Sequence, residues 1–337
     1  MKGVIRQSNG IYIIDSAYKG QSKVAAVYFV VDHGRVAIID TGNSTTVPHI
    51  LSALACLNIV PEAVEWVIPT HLHLDHAEGV GSLMCALPRA RVAVHPSAVS
   101  HLANPTRPLE NTFKTFGLEQ SFRLYGHMTP VDEQQIIPSR DGLELPLGNR
   151  VLKLLHTPGH TRHHIAVWDE SASAFFAGDA FGVSYREFDV SKRSFIFPSS
   201  PPTQFDPVAM IESIARMVSY GSEVMYLAHY GKVTGVERLA NDLFRLIHAQ
   251  IAIAQAARGS GLVRHTEILS GLEGLVREEC ARQHWALNEG ISLNLLRPDL
   301  CLNAQGLELW LDCLHEKRMT EEAAMVDKAS LMEAVAA

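Results

Sequence analysis

Apolar residues fall in short blocks through the first two thirds of the chain and at helical spacing through the last third. The blocks IYIID (11–15), VAAVYFVV (24–31) and RVAIID (35–40) are rich in β-branched and aromatic residues. The turn residues Asp32-His33-Gly34 part the last two, which predicts an antiparallel start with a hairpin. The stretch 41–59 then places Ile50, Leu51, Leu54 and Leu57 on one helical face, with Ser44 and Thr45 as cap candidates. EWVIPT (65–70) reads as a strand running straight into THLHLDHAEG (70–79), followed by a helix over about 79–87 and a strand RVAVHP (91–96). Residues 97–140, rich in proline, predict helix and loop over one face.

Strand pattern returns in LELPLG (143–148), RVLKLLHTPGH (150–160), HIAVWDE (164–170) and SAFFAGDAFG (173–182). Residues 184–207 combine prolines with aromatics and predict an ordered functional loop. A helix over 207–218 and a strand EVMYLAH (223–229) follow. From Val236 onward strand signals nearly vanish. VERLANDLFRLIHAQIAIAQAA is a helix of about six turns, and GLELWLDCL sets Leu307, Trp310, Leu311 and Leu314 on one face. This predicts two domains, 1–235 and an all-helical 236–337, whose last seventeen residues are helix-prone but free to fray.

Composition changes this picture little: 337 residues, 47% hydrophobic and 19% charged, are those of a globular protein. The longest apolar run, Val24 to Val31, is far short of the roughly twenty residues a bilayer span needs. The polar start MKGVIRQSNG lacks an apolar signal core, so the cytoplasm is the expected location. A net charge of −7 without a basic run argues against nucleic-acid or membrane partners and for a small-molecule substrate. Cys56, Cys85, Cys280, Cys301 and Cys313 form no C-x-x-C pair and are expected to be reduced, mostly buried thiols.

Histidine is the anomaly, with 17 residues gathered into a few segments. His71, His73, Asp75 and His76 sit between a strand and a helix, where a loop presents side chains to a cleft. In extended backbone residues i and i+2 face the same way, so His71 and His73 can hold one cation while Asp75 and His76 turn toward another. Three histidines and an aspartate would waste burial there unless a metal organised them. His160, Asp179 and His229 each follow a strand-like run with a glycine nearby, which permits the sharp turn a ligand at a strand end requires.

HxHxDH followed by a histidine, an aspartate and a histidine resembles the signature of the metallo-β-lactamase superfamily, over about residues 10 to 235. The resemblance implies an α/β (α+β) fold, a four-layer αβ/βα sandwich with metals at one edge, here with a C-terminal helical domain. It implies a first metal on His71, His73 and His160, a second on Asp75, His76 and His229, and Asp179 bridging. Asp40 matches the family's aspartate that orients ligands without binding metal. Two divalent cations, two carboxylates and a bridging hydroxide leave a net charge of about +1, suited to an oxyanion, and coordination lowers the pKa of water to about 7. Histidine and carboxylate ligands suit zinc first, with iron or manganese as alternatives.

Within the superfamily, the absent signal segment disfavours secreted β-lactamases, charge disfavours the nucleic-acid-processing branch, and His73 disfavours the flavodiiron branch. What remains resembles the glyoxalase II-like hydrolases, thioesterases and lactonases. The basic glutathione-contacting residues of glyoxalase II have no match after Val236. The expected function is therefore cleavage of a small thioester, lactone or other ester. The alternative is a non-hydrolytic di-iron protein binding dioxygen or nitric oxide, or a signalling member of the fold. Asp75, Tyr185 and Tyr230 are the catalytic candidates, the tyrosines and Arg186 as donors to a substrate oxygen. His163 and His164 are read either as supports behind the ligands or as a polar pair at a strand start. His95, His101 and His127 are read as surface or structural. The helices after Val236 are expected to cover the site or to form a homodimer, since Trp310 and its neighbours need a partner.

Overall fold

The structure, a computed structural model, describes residues 3–105, 129–191, 193–202, 204–285 and 287–336. His127 and much of the 97–140 stretch lie outside the described residues. Among the described residues the first sheet holds β1 (Val4–Arg6), β2 (Ile11–Asp15), β3 (Ala26–Asp32), β4 (Arg35–Ile39), β5 (Val64–Ile68), β6 (Arg91–Val94) and β7 (Ile136–Pro138) in chain order. It is antiparallel up to β4 and parallel from there on. The second sheet runs β8 (Leu143–Leu147), β9 (Arg150–His156), β10 (Ile165–Asp169), β11 (Ala174–Gly178), β12 (Val224–Leu227) and β13 (Gly231–Thr234). Its pairs are antiparallel except β11 with β12.

Both faces of each sheet are covered, which is why the strands read as unbroken apolar blocks rather than as alternating ones. Along β3, Tyr28 and Val30 point between the sheets, where they meet Ile39, Ile68, Leu154, Phe176 and Tyr226. Val27 and Phe29 point outward, onto α1 (Val47–Cys56) and α3 (Val80–Met84). Phe175 and Phe176 divide in the same way across the second sheet. Each such side chain, fully buried, stabilises by about 1.5–3 kcal/mol. Helix, sheet, sheet and helix make the four layers, and the predicted sandwich is the observed fold.

The outer face of the second sheet carries α5 (Pro207–Ser219), capped by Asp206, whose carboxylate accepts from the backbone of Val208 and Ala209 at 3.1 Å. It also carries α6 (Val236–Ala256), α7 (Leu262–Gln283) and α8 (Glu289–Ala336). Leu239, Leu243, Leu246, Ile247 and Ala254 of α6 keep a 3.6-residue period and share one apolar cluster with Phe175, Met210, Leu272, Leu300 and Leu307. Trp310 and Leu311 pack against that cluster, while Leu314 stays partly exposed. Among the described residues no helix is long and apolar enough to cross a membrane.

Three local expectations fail. α1 is preceded by Thr46 rather than capped by Ser44 or Thr45, because the Thr45 and Thr46 hydroxyls both bond Asn43 Oδ1 instead of the helix backbone. The short strands β1, β7 and β13 carry too few residues to show a period. The five cysteines are free as expected but not buried, since Cys56, Cys85 and Cys313 lie on exposed positions and Cys280 and Cys301 are half-buried.

Candidate metal centre

The candidate ligands gather at one end of the sandwich, on the loops that leave the strands. His71 and His73 follow β5, His71 at a bend and His73 in extended backbone before the single turn α2 (Leu74–Ala77), which carries Asp75 and His76. His71 Nε2 and His160 Nε2 lie 2.9 and 3.1 Å from His73 Nδ1, with Asp179 Oδ2 at 3.3 Å from His160. These four form one converging group, and Asp75, His76 and His229 form the other. In the second, Asp75 Oδ2 is 3.4 Å from His76 Nε2 and 3.3 Å from His229 Nε2, and the two rings meet at 3.2 Å. Asp179 Oδ2 stands 3.8 Å from His76 and from His229 and 4.0 Å from His71, and so faces both groups. A tetrahedral ion with ligands at about 2.0–2.1 Å sets its ligand atoms about 3.3 Å apart, which is close to these separations.

Outer hydrogen bonds turn the lone pairs inward. His229 Nδ1 donates to the Val24 carbonyl at 2.9 Å and His160 Nδ1 to the Ser199 carbonyl at 3.3 Å. His71 Nδ1 meets Thr70 Oγ1 at 3.1 Å, and that hydroxyl also lies 3.0 Å from Asp40 Oδ1. Asp40 ends β4 with φ +57°, a left-handed turn that aspartate tolerates, and its Oδ1 accepts from Thr70 N at 2.7 Å. His164 accepts from Asp179 N at 3.2 Å and bonds Thr157 Oγ1 at 2.8 Å, while His163 Nε2 accepts from Leu72 N at 3.1 Å. Both therefore hold the loops that carry the candidate ligands.

Burial, then the neighbouring His73 ring, hold His71 and His160 well below the usual histidine range, which keeps their nitrogens free as donors. Against burial, which lowers it, the Asp179 and Asp75 carboxylates push His229 up to about 10, so the site favours positive charge at that nitrogen. Against burial, which raises it, His76 and His229 hold Asp75 well below its ordinary value. Asp179 Oδ1 and His76 Nδ1 are buried without a hydrogen-bond partner. His73 Nδ1 can donate to at most one of the two ring nitrogens it faces. The converging histidine and carboxylate lone pairs, more than the available protons can satisfy, fit a pair of cations.

The other candidates separate. Arg186 bonds the Ser184 and Lys232 carbonyls and pairs with Asp189, and so ties the loop after β11 to β13. Tyr230, 4% exposed, packs into the core between the sheets. Tyr185 is half-buried and its hydroxyl donates to both Asp299 oxygens, each at 3.1 Å. Asp299 comes from α8 and was missed. Its faint signal is that Asp299 and Asn303 interrupt the buried stripe Leu296, Leu300 and Leu307 with polar residues one turn apart. Within the predicted loop 184–207 the structure describes residues 184–191, 193–202 and 204–207. Phe188 and Phe195 stack within it, and Asn303 accepts from Ser200 N at 2.7 Å.

The model of the metallo-beta-lactamase superfamily matches residues 23–229. The metallo-beta-lactamase fold-containing protein ST1585 of Sulfurisphaera tokodaii is 25% identical over 229 residues, covering 67% of this chain and 80% of that protein. Its solved structure aligns with TM-score 0.62 at 21% identity, over 89% of this chain and 99% of the other. The acyl-coenzyme A thioesterase MBLAC2 of Homo sapiens is 26% identical over 263 residues, 73% of this chain and 85% of that protein. Glyoxylase B2 of Dictyostelium discoideum is 29% identical over a shorter stretch, 35% of this chain and 36% of its own length.

Proposed function

Because the chain belongs to the metallo-beta-lactamase superfamily, we propose that it is a dinuclear-metal hydrolase that cleaves a small thioester, lactone or other ester. The observation that carries this reading is the position of Asp179 Oδ2, 3.3–4.0 Å from histidines of both converging groups. His71, His73 and His160 would hold one ion, Asp75, His76 and His229 the other, and Asp179 would bridge. Two divalent ions there, zinc in the first place and iron or manganese next, would supply a nucleophile at neutral pH and Lewis acidity for the carbonyl. The protein's part is to hold the donors. Thr70, Ser199 and Val24 fix the ring nitrogens, and Asp75 keeps 23% of its side chain exposed beside His229. The thioesterase relative supports a thioester among the candidates. We also propose the cytoplasm as its location and a small molecule, not nucleic acid, as its substrate.

The test is metal analysis of the purified chain, then turnover of a panel of thioesters, lactones and aryl esters before and after chelation. About two metals per chain and chelator-sensitive hydrolysis are expected. A metal-loaded protein inert on the whole panel, with an iron-type visible band, would overturn the hydrolase reading in favour of the di-iron alternative.

A further inference from the structure

The phenol of Tyr185 has one proton, and both Asp299 oxygens lie 3.1 Å from it. That proton is thus given to the carboxylate and not to a substrate oxyanion. Tyr185 spends its donor on holding Asp299 still. Tyr185 itself follows Ser184, whose backbone exchanges hydrogen bonds with His229 and Tyr230, so the pair is anchored beside a candidate ligand loop. The Asp299 carboxylate is thereby linked, through Tyr185 and the Ser184 backbone, to the loop that carries His229.

A carboxylate has about four acceptor positions, and one phenol fills at most two. Asp299 and Tyr185 are both of intermediate exposure, so neither is sealed within the core. Neighbouring Arg297 does not neutralise it, because it turns to Glu273 at 2.9 Å. Burial pushes the Asp299 carboxyl up to about 6 and the Tyr185 hydroxyl well above its ordinary value, so at neutral pH the proton stays on the phenol and the carboxylate is mostly ionised. With that charge included, the net charge of a metal-loaded site falls from about +1 to about zero, and the field no longer draws an anionic substrate.

We propose that Asp299, brought to the site by α8 and held by Tyr185, is a specificity-determining residue that selects substrates bearing an ammonium, N–H or O–H donor near the scissile bond over substrates bearing a carboxylate there. This deepens the hydrolase reading and rests on it. Tyr185 is then a positioning residue for Asp299.

The experiment uses the full, metal-reconstituted chain and three S-phenyl thioesters: of glycine (ammonium), of acetic acid (neutral) and of succinic acid (carboxylate). Benzylamine and benzoate binding, measured by calorimetry, gives a readout independent of turnover. The parent should prefer the ammonium ester to the carboxylate ester. Asp299→Asn should cut that ratio about tenfold to a hundredfold, the worth of a charge-assisted hydrogen bond. The change should lie mainly in KM, and benzylamine binding should weaken while benzoate binding tightens. An unchanged ratio with unchanged probe affinities, or a parent that prefers the carboxylate ester, overturns the assignment. If the parent turns over none of the three esters, calorimetry alone decides the role of Asp299, and the wider panel of thioesters, lactones and aryl esters decides the hydrolase reading. Should Asp299→Asn not fold, Asp299→Glu shifts the same charge by one methylene. A ratio altered threefold or more then supports the assignment, and an unaltered one overturns it.

Discussion

Gly178→Ala isolates the link between backbone geometry and the candidate metal centre. Gly178 ends β11 with φ +51°, immediately before Asp179, where the pairing with β12 shifts register. A left-handed conformation costs a non-glycine residue about 1–2 kcal/mol. The added Cβ would also stand 2.8 Å from Thr70 Oγ1 and 2.9 Å from His164 Cε1, and closer still to His164 Nε2. Neither neighbour can yield cheaply. Thr70 is held by Asp40 and His71, and His164 by Thr157 and the Asp179 backbone. Losing the His164 to Asp179 hydrogen bond adds about 1 kcal/mol, for a total of about 2–3 kcal/mol. At about 2–4 °C per kcal/mol, Tm should fall by roughly 4–12 °C. Displacing a residue that supports the ligands should also weaken metal binding about tenfold to a hundredfold. The control is Gly221→Ala, at φ +69° with nothing within 4 Å of the new Cβ, which meets the conformational cost alone. Melting curves and metal content for parent and both variants give the comparison. A Gly178→Ala protein that matches Gly221→Ala in both would refute the argument that this glycine sets the position of Asp179.

Asp179→Asn should lose metal, since it removes the shared anion from both groups and raises the site from about +1 to about +2; two metals and parental turnover by elemental analysis and assay would place the bridge elsewhere. Burial pushes Asp179 and Asp40 up to about 6, above their unfolded values near 3.8, so each contributes stability to the metal-free chain that is present below about pH 3.8 and lost as pH rises through 6. The Tm gap between metal-loaded and chelated protein should therefore widen from pH 5 to pH 7.5, and a gap constant across that range would contradict it. Truncation after Gly235 should yield aggregates by light scattering, because Phe175, Met210 and Ile214 share their apolar cluster with α6, α7 and α8; a soluble, monomeric, fully active 1–235 fragment would show that the cluster is dispensable.

The fold and most of the candidate centre were legible in the chain because their signals are local. Apolar blocks such as 24–31 and 173–182 announce strands buried on both faces, and the period of α6 shows in its own residues. His71, His73, Asp75 and His76 lie within six positions, and an extended stretch followed by a helical turn suffices to split them into two sets. Strands β1, β7 and β13 left no readable pattern, and each lies at the end of its sheet against a single neighbouring strand. The carbonyls of Val24 and Ser199 that orient His229 and His160 carry no side-chain signature at all. Tyr230 and Tyr185 read alike as hydroxyl donors beside the site, yet one faces the core and the other gives its proton to Asp299. That carboxylate is 114 positions away along the chain. Pairings across such distances follow from how α8 docks on the second sheet, and docking is settled by the summed burial of many side chains, which no single segment encodes.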